Sequence, residues 1–266
     1  MERKRLGVSS LTWVTQPLKD AVARAHELGF PCIDLGLLNG WSEFGPEALA
    51  ADFHSYADPL RAVLEETGLQ TASINAGFGS TSDPVSLLEQ THAVCRAASS
   101  FGAAAGVTLP APPLDWDAEK ARGYLQPLYD VFMVHGVPMM LETHYGQWTQ
   151  HVDKAEQLLD WFPQLQLTLD ASHYIIQGLK PPDWEALMSR VGHCHIRPCG
   201  EQGWDTVQTD PEASSPVVLD WVGRMLTADY QGLFTLEIIE GFNAVEAEPA
   251  ALTMRERVLC IDEKGV

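Results

Sequence analysis

Acidic and histidine side chains that could bind a metal recur at the ends of apolar stretches in the second half of the sequence. Glu142 ends PMMLE, Asp170 ends LQLTLD, His195 lies in GHCHI and Glu237 lies in FTLE. If each apolar stretch is a buried strand, the four side chains lie at or just beyond four strand ends. Three carboxylates and an imidazole suit a hard or borderline divalent cation such as Mn²⁺, Mg²⁺ or Zn²⁺. The sequence therefore predicts one divalent metal ion with these four ligands.

A single carboxylate at a strand end more often caps a helix or forms an ion pair. Four such groups on successive strand ends are different, because buried carboxylates without a cation are costly to desolvate and repel one another. His173 follows Asp170 by three residues and is interpreted either as a further ligand or as a substrate-binding residue. His193 precedes His195 by two, so it points the same way along the strand but lies deeper, as a packed or supporting histidine.

Two further residues near these ends are candidates for substrate binding. His144 follows the first glutamate by two residues and lies in a loop. Arg197 follows His195 by two residues and is a cation close to the predicted metal. It could bind an anionic or polyhydroxyl substrate, and the alternative is a salt bridge to a neighbouring carboxylate such as Glu201 or Asp205.

The elements that must position these side chains repeat one pattern, which is a stretch with helical spacing, a Gly or Pro stop and a short apolar run. Eight such runs, from RLGVSSLTW to FTLEI, are nearly continuously apolar, as strands covered on both faces are. Two of them are predicted as strands at 165–169 and 192–196. Helices are predicted at 17–28, 48–66, 85–101, 119–135, 152–162, 217–227 and 244–262, with a short connection at 184–190.

Eight alternating units without a linker predict a single (β/α)8 TIM barrel over residues 1–266. The main alternative, an open doubly wound sheet, would carry a glycine-rich fingerprint after its first strand, whereas SSLTW stands there. In a barrel, the chemistry lies at the C-terminal ends of the strands. The predicted end residues of the first four strands are Trp13, Asp34, Asn75 and Leu109. These residues are mostly neutral or apolar, whereas strands five to eight end in three carboxylates and a histidine. We therefore expect a metal site on one side of the barrel and a pocket opposite it.

Aromatic residues on the predicted rim loops could form a wall of the kind found around sugars. They are Trp13, Phe78, Tyr145, Trp148 and Trp204. Loop packing is the alternative for each of them alone. We include Trp13, at the predicted end of the first strand, among the candidate substrate-binding residues.

Composition narrows the class of protein. The formal charge of −19 and the pI near 4.7 would repel a phosphate backbone, so nucleic acid is not an expected partner. No apolar run is long enough to span a membrane, and MERKRLGVSS lacks the apolar core of a signal peptide, so we expect a cytoplasmic protein. Five cysteines without a CxxC pair indicate reduced thiols. The expected partner is a small molecule, and a homo-oligomer is compatible with the sequence.

The motifs MMLETH, LTLDASH, HCHIRP and FTLEII, in this order and spacing, resemble the sugar phosphate isomerase/epimerase family of xylose-isomerase-like TIM barrels. That family includes ketose 3-epimerases, hydroxypyruvate isomerase, inosose dehydratase and endonuclease IV-type repair enzymes. The resemblance covers essentially the whole chain. It implies that the four residues ligate one divalent metal and that Glu142 and Glu237 double as acid/base groups. It also implies that His173 contacts substrate or a second metal.

The sequence departs from two branches of this family. The endonuclease-type relatives bind three zinc ions with extra histidines, whereas SIN, TLP and Asp205-Thr206-Val207 stand at the matching places, which argues against DNA hydrolysis. Ketose 3-epimerases carry an arginine six residues beyond the strand-seven histidine, where Glu201 stands here. Either Arg197 substitutes for that arginine or the substrate differs.

The implied chemistry is metal-assisted proton transfer next to a carbonyl, through a metal-stabilised enediolate. Return of the proton to the opposite face of the same carbon gives epimerisation, and return to the neighbouring carbon gives isomerisation. We therefore expect a sugar, sugar phosphate or keto-acid isomerase or epimerase. An inosose-dehydratase-like lyase and a non-catalytic metal- or sugar-binding barrel are the alternatives.

Overall fold

Eight parallel strands close into a barrel in the order in which they occur in the sequence, and β1 pairs with β8 to complete it. The computed structural model describes residues 1–79, 83–243 and 245–261. The strands are β1 Leu6–Ser9, β2 Cys32–Leu38, β3 Gln70–Gly77, β4 Val107–Leu109, β5 Met139–Glu142, β6 Gln166–Asp170, β7 Val191–Ile196 and β8 Phe234–Leu236. This closed parallel barrel confirms the predicted (β/α)8 architecture.

Helices follow the strands along the chain. They are α1 Leu18–Glu27, α2 Pro46–Ala51, α3 Phe53–Thr67, α4 Pro84–Phe101, α5 Ala118–His135, α6 Val152–Trp161, α7 Ser172–Ile175, α8 Pro211–Thr227 and α9 Ala247–Leu259. Three of the predicted glycine stops follow α3, α4 and α5, where Gly68, Gly102 and Gly136 have φ of +66°, +63° and +63°. Glycine reaches this left-handed conformation without a steric penalty, which explains why these helices end there.

Aspartates cap three helices that leave the C-terminal end of the barrel. The Asp83 side chain accepts a hydrogen bond from Ser86 N at the start of α4, and Asp117 accepts from Lys120 N at the start of α5. Asp210 accepts from two backbone N–H groups at the start of α8. Each carboxylate satisfies N–H groups that the first helical turn leaves without a partner. These helix N-termini are therefore already occupied by negative charge from the chain itself.

Several predicted boundaries are wrong, and local hydrogen bonds explain two of them. The predicted helix 48–66 is two helices, because Asp52 breaks it and caps α3 by accepting from Ser55 N. The first strand ends at Ser9, whose side chain accepts from Leu11 N and starts a 3₁₀ turn over Ser10–Trp13. α8 begins at Pro211, six residues before the predicted start. The predicted ends of the last helix, 244 and 262, lie outside the described residues.

The barrel interior is polar directly beneath the strand ends that carry the predicted ligands. Thr108 Oγ1 lies 2.6 Å from Thr168 Oγ1, and His193 Nε2 lies 3.0 Å from Thr235 Oγ1. All four side chains are buried. TIM barrels usually fill these layers with Val, Ile and Leu. This layer of the barrel is therefore held by hydrogen bonds between side chains, and it lies directly below the predicted metal ligands.

None of the helices in the described ranges is long and apolar enough to cross a membrane. The five cysteines are free thiols, as predicted. Four of them are buried, and Cys260 is exposed.

Candidate metal centre

The C-terminal ends of β5 to β8 bring the four predicted metal ligands together. Glu142 and Asp170 end β5 and β6, His195 is the penultimate residue of β7, and Glu237 directly follows β8. Asp170 pairs with His195 in the sheet, and Glu237 N donates to Ile196 O at 3.0 Å. One ligand atom from each of the four residues lies within 4.8 Å of the others, and all four residues are buried. The group formed by these four residues is called the metal group below.

His195 is the centre of this group. Its Nδ1 lies 2.9 Å from Glu142 Oε1 and 3.4 Å from Glu237 Oε2. Its Nε2 lies 2.8 Å from Asp34 Oδ2 on the opposite side of the ring. Although burial opposes it, these carboxylates hold the pKa of His195 well above its ordinary value. Nδ1 is therefore the atom that faces the metal group, and a cation bound there would have to displace the proton that the raised pKa favours on this nitrogen.

Asp34 supports the metal group from β2, a role that we did not predict for it. Its Oδ1 accepts a hydrogen bond from Ser73 Oγ at 2.6 Å, and its Oδ2 contacts His195 and, at 3.4 Å, His193 Nε2. Burial works against ionisation, but the hydrogen bonds from the two histidines hold the pKa of Asp34 below its ordinary value. A carboxylate behind a ligating histidine fixes the ring orientation and the tautomer. Asp34 thus fixes His195 with Nδ1 toward Glu142.

Asp34 and His193 lie deeper than the rim. The sequence placed Asp34 at a strand end, whereas it lies near the start of β2 and pairs with Ser9 and Ser73. His193 pairs with Thr168, two positions below the Asp170 and His195 pair, as its position predicted. The signal for Asp34 was present in the sequence, since an acidic residue interrupts the apolar run CIDLGLL. Such a residue in a buried strand requires a partner inside the fold.

Arg197 pairs with the metal group itself. Its Nε lies 3.2 Å from Asp170 Oδ2, and its NH2 donates to Glu237 Oε2. The side chain is 6% exposed. The salt bridge weighed from the sequence therefore exists, but its partners are Asp170 and Glu237 and not Glu201 or Asp205.

The chemistry of these residues fits a divalent cation. Three carboxylates share the space with the Arg197 guanidinium and the His195 ring, whose pKa is raised, so negative charge still exceeds positive. Asp170 Oδ2 and Arg197 Nε are buried without a hydrogen-bond partner among the described residues, despite their closeness. Burial raises the pKa of Asp170 to about 6, with Arg197 opposing the rise and Glu142 and Glu237 adding to it. A divalent cation with a neutral His195 would balance the charge of the site and give the orphaned carboxylate oxygen a partner.

His173 lies at the inner end of a row of rings that leads to the surface. Its Nδ1 accepts a hydrogen bond from Tyr145 N at 3.2 Å, and its Nε2 lies 3.5 Å from Asp170 Oδ2. The ring of His144 lies 4.0 Å away between centroids, and Trp204 stacks on His173 at 5.7 Å. Burial, followed by the charge of His144, lowers the pKa of His173 well below its ordinary value. A neutral imidazole thus lies beside the metal group, and His144 lies next to it.

Two exposed aromatic rings continue this row. Tyr145 and Trp204 are 43% and 41% exposed, and their centroids are 5.5 Å apart at an angle of 32°. Both come from the rim loops that the sequence indicated. They form an aromatic surface above His173, available to a ligand at the barrel mouth.

The structure does not bring Trp13 into the site. Its indole Nε1 donates to Glu248 Oε2 at 2.7 Å, and this carboxylate also binds Arg24. The side chain is 3% exposed and packs in the hydrophobic core. The physical reason is the early end of β1, after which the 3₁₀ turn directs Trp13 toward α1 and α9.

A cavity of about 710 Å³ lies on the side of the barrel that the sequence marked as neutral. Loops after β3, β4 and β5 line it together with α4 and α5, including Ala111, Trp116, Tyr124 and Gln147. None of the metal group lines it. This cavity lies toward the outer helices, so the pocket opposite the metal site stays a prediction.

Comparisons with known proteins support the same architecture. A family model described as xylose isomerase-like TIM barrel matches residues 22–257. No curated protein matches the chain by sequence. Solved structures match over nearly the full length.

Three of these structures illustrate the range of similarity. A D-tagatose 3-epimerase-like protein is 13% identical with a TM-score of 0.73, covering 98% of this chain and 100% of its own. A probable 3-DHS dehydratase, AsbF, from Bacillus anthracis is 16% identical with a TM-score of 0.72, with the same coverage. The IOLI protein with a bound zinc atom is 15% identical with a TM-score of 0.69, covering 98% of this chain and 99% of its own. At these identities the likeness establishes the fold.

Proposed function

This chain belongs to the xylose isomerase-like TIM barrel family, and from that premise we propose that it is a divalent-metal-dependent isomerase or epimerase of a sugar or sugar-derived substrate. The reaction would move a proton at a carbon next to a carbonyl group. Similar structures include a D-tagatose 3-epimerase-like protein and a zinc-bound protein, which is consistent with this reaction class.

One observation carries the proposal. Three buried carboxylates and one imidazole offer ligand atoms within 4.8 Å of one another at the mouth of the barrel. Buried carboxylates this close together repel one another unless cations balance their charge. Arg197 supplies one positive charge through its pairs with Asp170 and Glu237. A divalent cation bound by the metal group would supply the remainder.

The two glutamates differ in their freedom to move a proton. Glu142 uses Oε1 toward His195, and no hydrogen bond to its Oε2 occurs within the described part of the chain. Its side chain is 11% exposed. Glu237 is 2% exposed, its Oε1 accepts from Asn75 Nδ2 at 3.2 Å, and its Oε2 pairs with Arg197. Although burial opposes it, Arg197 and then His195 lower the pKa of Glu237.

We assign the two carboxylates different parts in the reaction on this basis. Glu142, with one oxygen free at the mouth, removes the proton from the carbon next to the carbonyl. Glu237, held ionised by Arg197, is the weaker base and acts on the other face of the substrate. When bound, a divalent cation supplies the Lewis acidity that makes the proton removable and orients the substrate oxygens. His173 and His144 donate or accept hydrogen bonds from substrate hydroxyls.

Solvent exchange tests the proposal. The purified protein, loaded with Mn²⁺, Mg²⁺ or Zn²⁺ in turn, is incubated with ketoses in D₂O, and deuterium at the carbon next to the carbonyl is followed by NMR. We expect metal-dependent exchange that a chelator abolishes and that Glu142→Gln reduces by about 10² to 10⁴-fold. Exposed Glu66→Gln, in the last turn of α3, is the matched control. Failure of the metal-loaded protein to exchange any ketose, or exchange unaffected by Glu142→Gln, would refute it.

A dehydratase is the second candidate, and His144 favours it. This partly exposed imidazole follows Glu142 by two residues and lies beside His173, where it could protonate a departing β-hydroxyl. A dehydratase would use the same proton removal and then release water. Formation of an ultraviolet-absorbing unsaturated or dicarbonyl product, lost in His144→Phe, distinguishes it from the isomerase.

A further inference from the structure

We propose that the natural substrate is an uncharged polyhydroxyl carbonyl compound, neither phosphorylated nor a sugar acid. This inference rests on the proposed function and specifies its substrate class. It is carried by the charges that surround the mouth of the barrel.

The segments that follow the strands on the catalytic face are acidic. From each strand end to the next helix, they contain only two Lys or Arg residues, Lys180 and Arg197; the sixth segment includes α7 and ends at Lys180, before a 3₁₀ helix at Pro181–Arg190. The acidic residues of these segments are Glu43, Asp83, Asp115, Asp117, Glu201, Asp205, Asp210, Glu237, Glu240 and Glu246. An enzyme that selects a phosphate or carboxylate normally presents Arg or Lys to it. This face presents the opposite sign.

Neither of the two residues is placed to neutralise a substrate anion at the metal group. Arg197 is buried between Asp170 and Glu237, and its charge together with that of a divalent cation would only neutralise the three carboxylates of the metal group. Lys180 lines a separate surface cavity of about 390 Å³ with Glu201 and Asp220, and none of the metal group lines that cavity. A substrate anion in the site would therefore remain without a counter-charge.

The backbone positions that often bind phosphate are also occupied. TIM barrels frequently hold phosphate at the loops after β7 and β8 and at a helix N-terminus. Here Asp210 takes the N–H groups at the start of α8, at 2.7 Å from Glu212 N. The same loops carry Glu201, Asp205 and Glu240. Like charges brought together at a binding site repel and weaken binding.

The groups that do face the mouth suit an uncharged sugar. Tyr145 and Trp204 offer exposed ring faces, against which the C–H face of a sugar can pack. His173 and His144, whose ring centroids are 4.0 Å apart, lie beside them with imidazole nitrogens that can hydrogen-bond to hydroxyl groups. Apolar faces with a few placed polar groups are the usual means of recognising such ligands.

Matched substrate pairs test the inference. The metal-loaded protein is given D-fructose or D-fructose 6-phosphate, and D-xylulose or D-xylulose 5-phosphate, and the deuterium exchange rate is measured at about 20 mM and about 300 mM salt, where screening differs strongly. We expect the uncharged member of at least one pair to exchange about tenfold faster or more than its phosphate ester. Salt should leave the uncharged rate unchanged and raise the rate of the ester, because it screens repulsion.

Two double variants locate the effect. Asp205→Asn with Glu240→Gln removes two charges from the loops after β7 and β8 and should raise the rate of the phosphate ester without changing the rate of the uncharged ketose. Glu65→Gln with Glu66→Gln removes two exposed charges from the last turn of α3 and should change neither rate. Equal effects of both double variants, or none, would overturn the inference.

Failure of this inference can be told apart from failure of the proposed function. Faster exchange of the phosphate esters, with rates that fall as salt rises, would overturn the uncharged substrate and leave the proposed function standing. No exchange with any member of either pair, while elemental analysis shows the metal in place, would overturn the proposed function for these sugars and this inference with it.

Discussion

Arg197 and Glu237 form a buried ion pair inside the metal group, with the Arg197 NH2 donating to Glu237 Oε2. The arginine also lies 3.2 Å from Asp170 Oδ2 through Nε. A cation that is part of the chain thus compensates two of the carboxylates that would bind a metal. The protein without metal depends on this arginine for the balance of charge.

Arg197→Ala should therefore destabilise the metal-free protein by about 3 to 5 kcal/mol, because it leaves buried carboxylates without their partner. Added metal should raise the melting temperature of Arg197→Ala more than that of the unaltered protein, since the cation then replaces the missing charge. Arg197→Lys, which keeps the charge, is the matched control. Equal metal-induced shifts in all three proteins, measured by calorimetry, would contradict the prediction.

Asp34→Asn should weaken metal binding by about 10 to 100-fold, because the ring of His195 loses the carboxylate that fixes its tautomer. Isothermal titration calorimetry measures the affinity. The ¹⁵N chemical shifts of His195 report the tautomer independently of activity, and we expect the protonated Nε2 form in the metal-loaded protein to lose population in the variant. Ser73→Ala, which removes only a hydroxyl from the other oxygen of Asp34, should have a smaller effect. Unchanged affinity and shifts in Asp34→Asn would refute this role.

Metal binding should tighten as pH rises. Although burial opposes it, the neighbouring carboxylates raise the pKa of His195, so near neutral pH a bound cation must displace a proton from the ring. Below the raised pKa of His195 the ring carries the competing proton, and above it the proton is lost. The apparent metal affinity should therefore rise by up to about tenfold per pH unit as the pH approaches that pKa. Asp170, whose pKa burial raises to about 6, adds a second proton in more acidic solution. Calorimetry in buffers of different ionisation enthalpy counts the protons, and an affinity independent of pH would contradict the prediction.

Glu142→Gln and Glu237→Gln should behave differently. Glu142→Gln removes the base with a free oxygen and should reduce both deuterium exchange and product formation by about 10² to 10⁴-fold. Glu237→Gln should retain exchange on one face while losing product, because the remaining glutamate returns the proton to the face from which it came. Elemental analysis should show metal in both variants. A metal-loaded double variant with undiminished turnover would refute the two-glutamate assignment.

Trp204→Ala should raise KM by about two- to tenfold, the equivalent of one aromatic contact, with little change in kcat or metal content. Trp41→Ala is a suitable control, since this residue is 60% exposed on the loop after β2. Steady-state kinetics with the uncharged ketose decide the matter. A fall in kcat with unchanged KM would show that Trp204 acts on the reaction rather than on binding.

The barrel and its metal group could be predicted because both depend on local patterns. Apolar runs followed by Glu142, Asp170 or Glu237 mark strand ends, and parallel strand ends in a barrel converge. Gly68 and Gly102 mark helix ends through backbone conformation alone. Each of these signals lies within a few residues of the feature that it predicts.

The remaining features depend on which distant side chains meet. Arg197 pairs with Glu237, which follows the neighbouring strand. Sequence proximity alone suggests Glu201 or Asp205 as its partner instead. Trp13 was predicted as a substrate-binding residue because the first strand was expected to extend to it. The strand ends four residues earlier, at Ser9, whose side chain starts a 3₁₀ turn. The role of Asp34 required knowledge of where β2 begins, because Asp34 lies near the start of that strand and not at its end.

The hydrogen bonds that join the two halves of the barrel have a consequence for folding. Asp34 contacts His195 across 161 positions of the chain, and Asn75 contacts Glu237 across 162. Contacts of such long range form late, because a large loop must close before they stabilise anything. The site is thus completed only when the final strand docks against the first. A fragment that stops before β8 would lack Glu237 and would leave the barrel open, so the four residues of the metal group should come together only on ring closure.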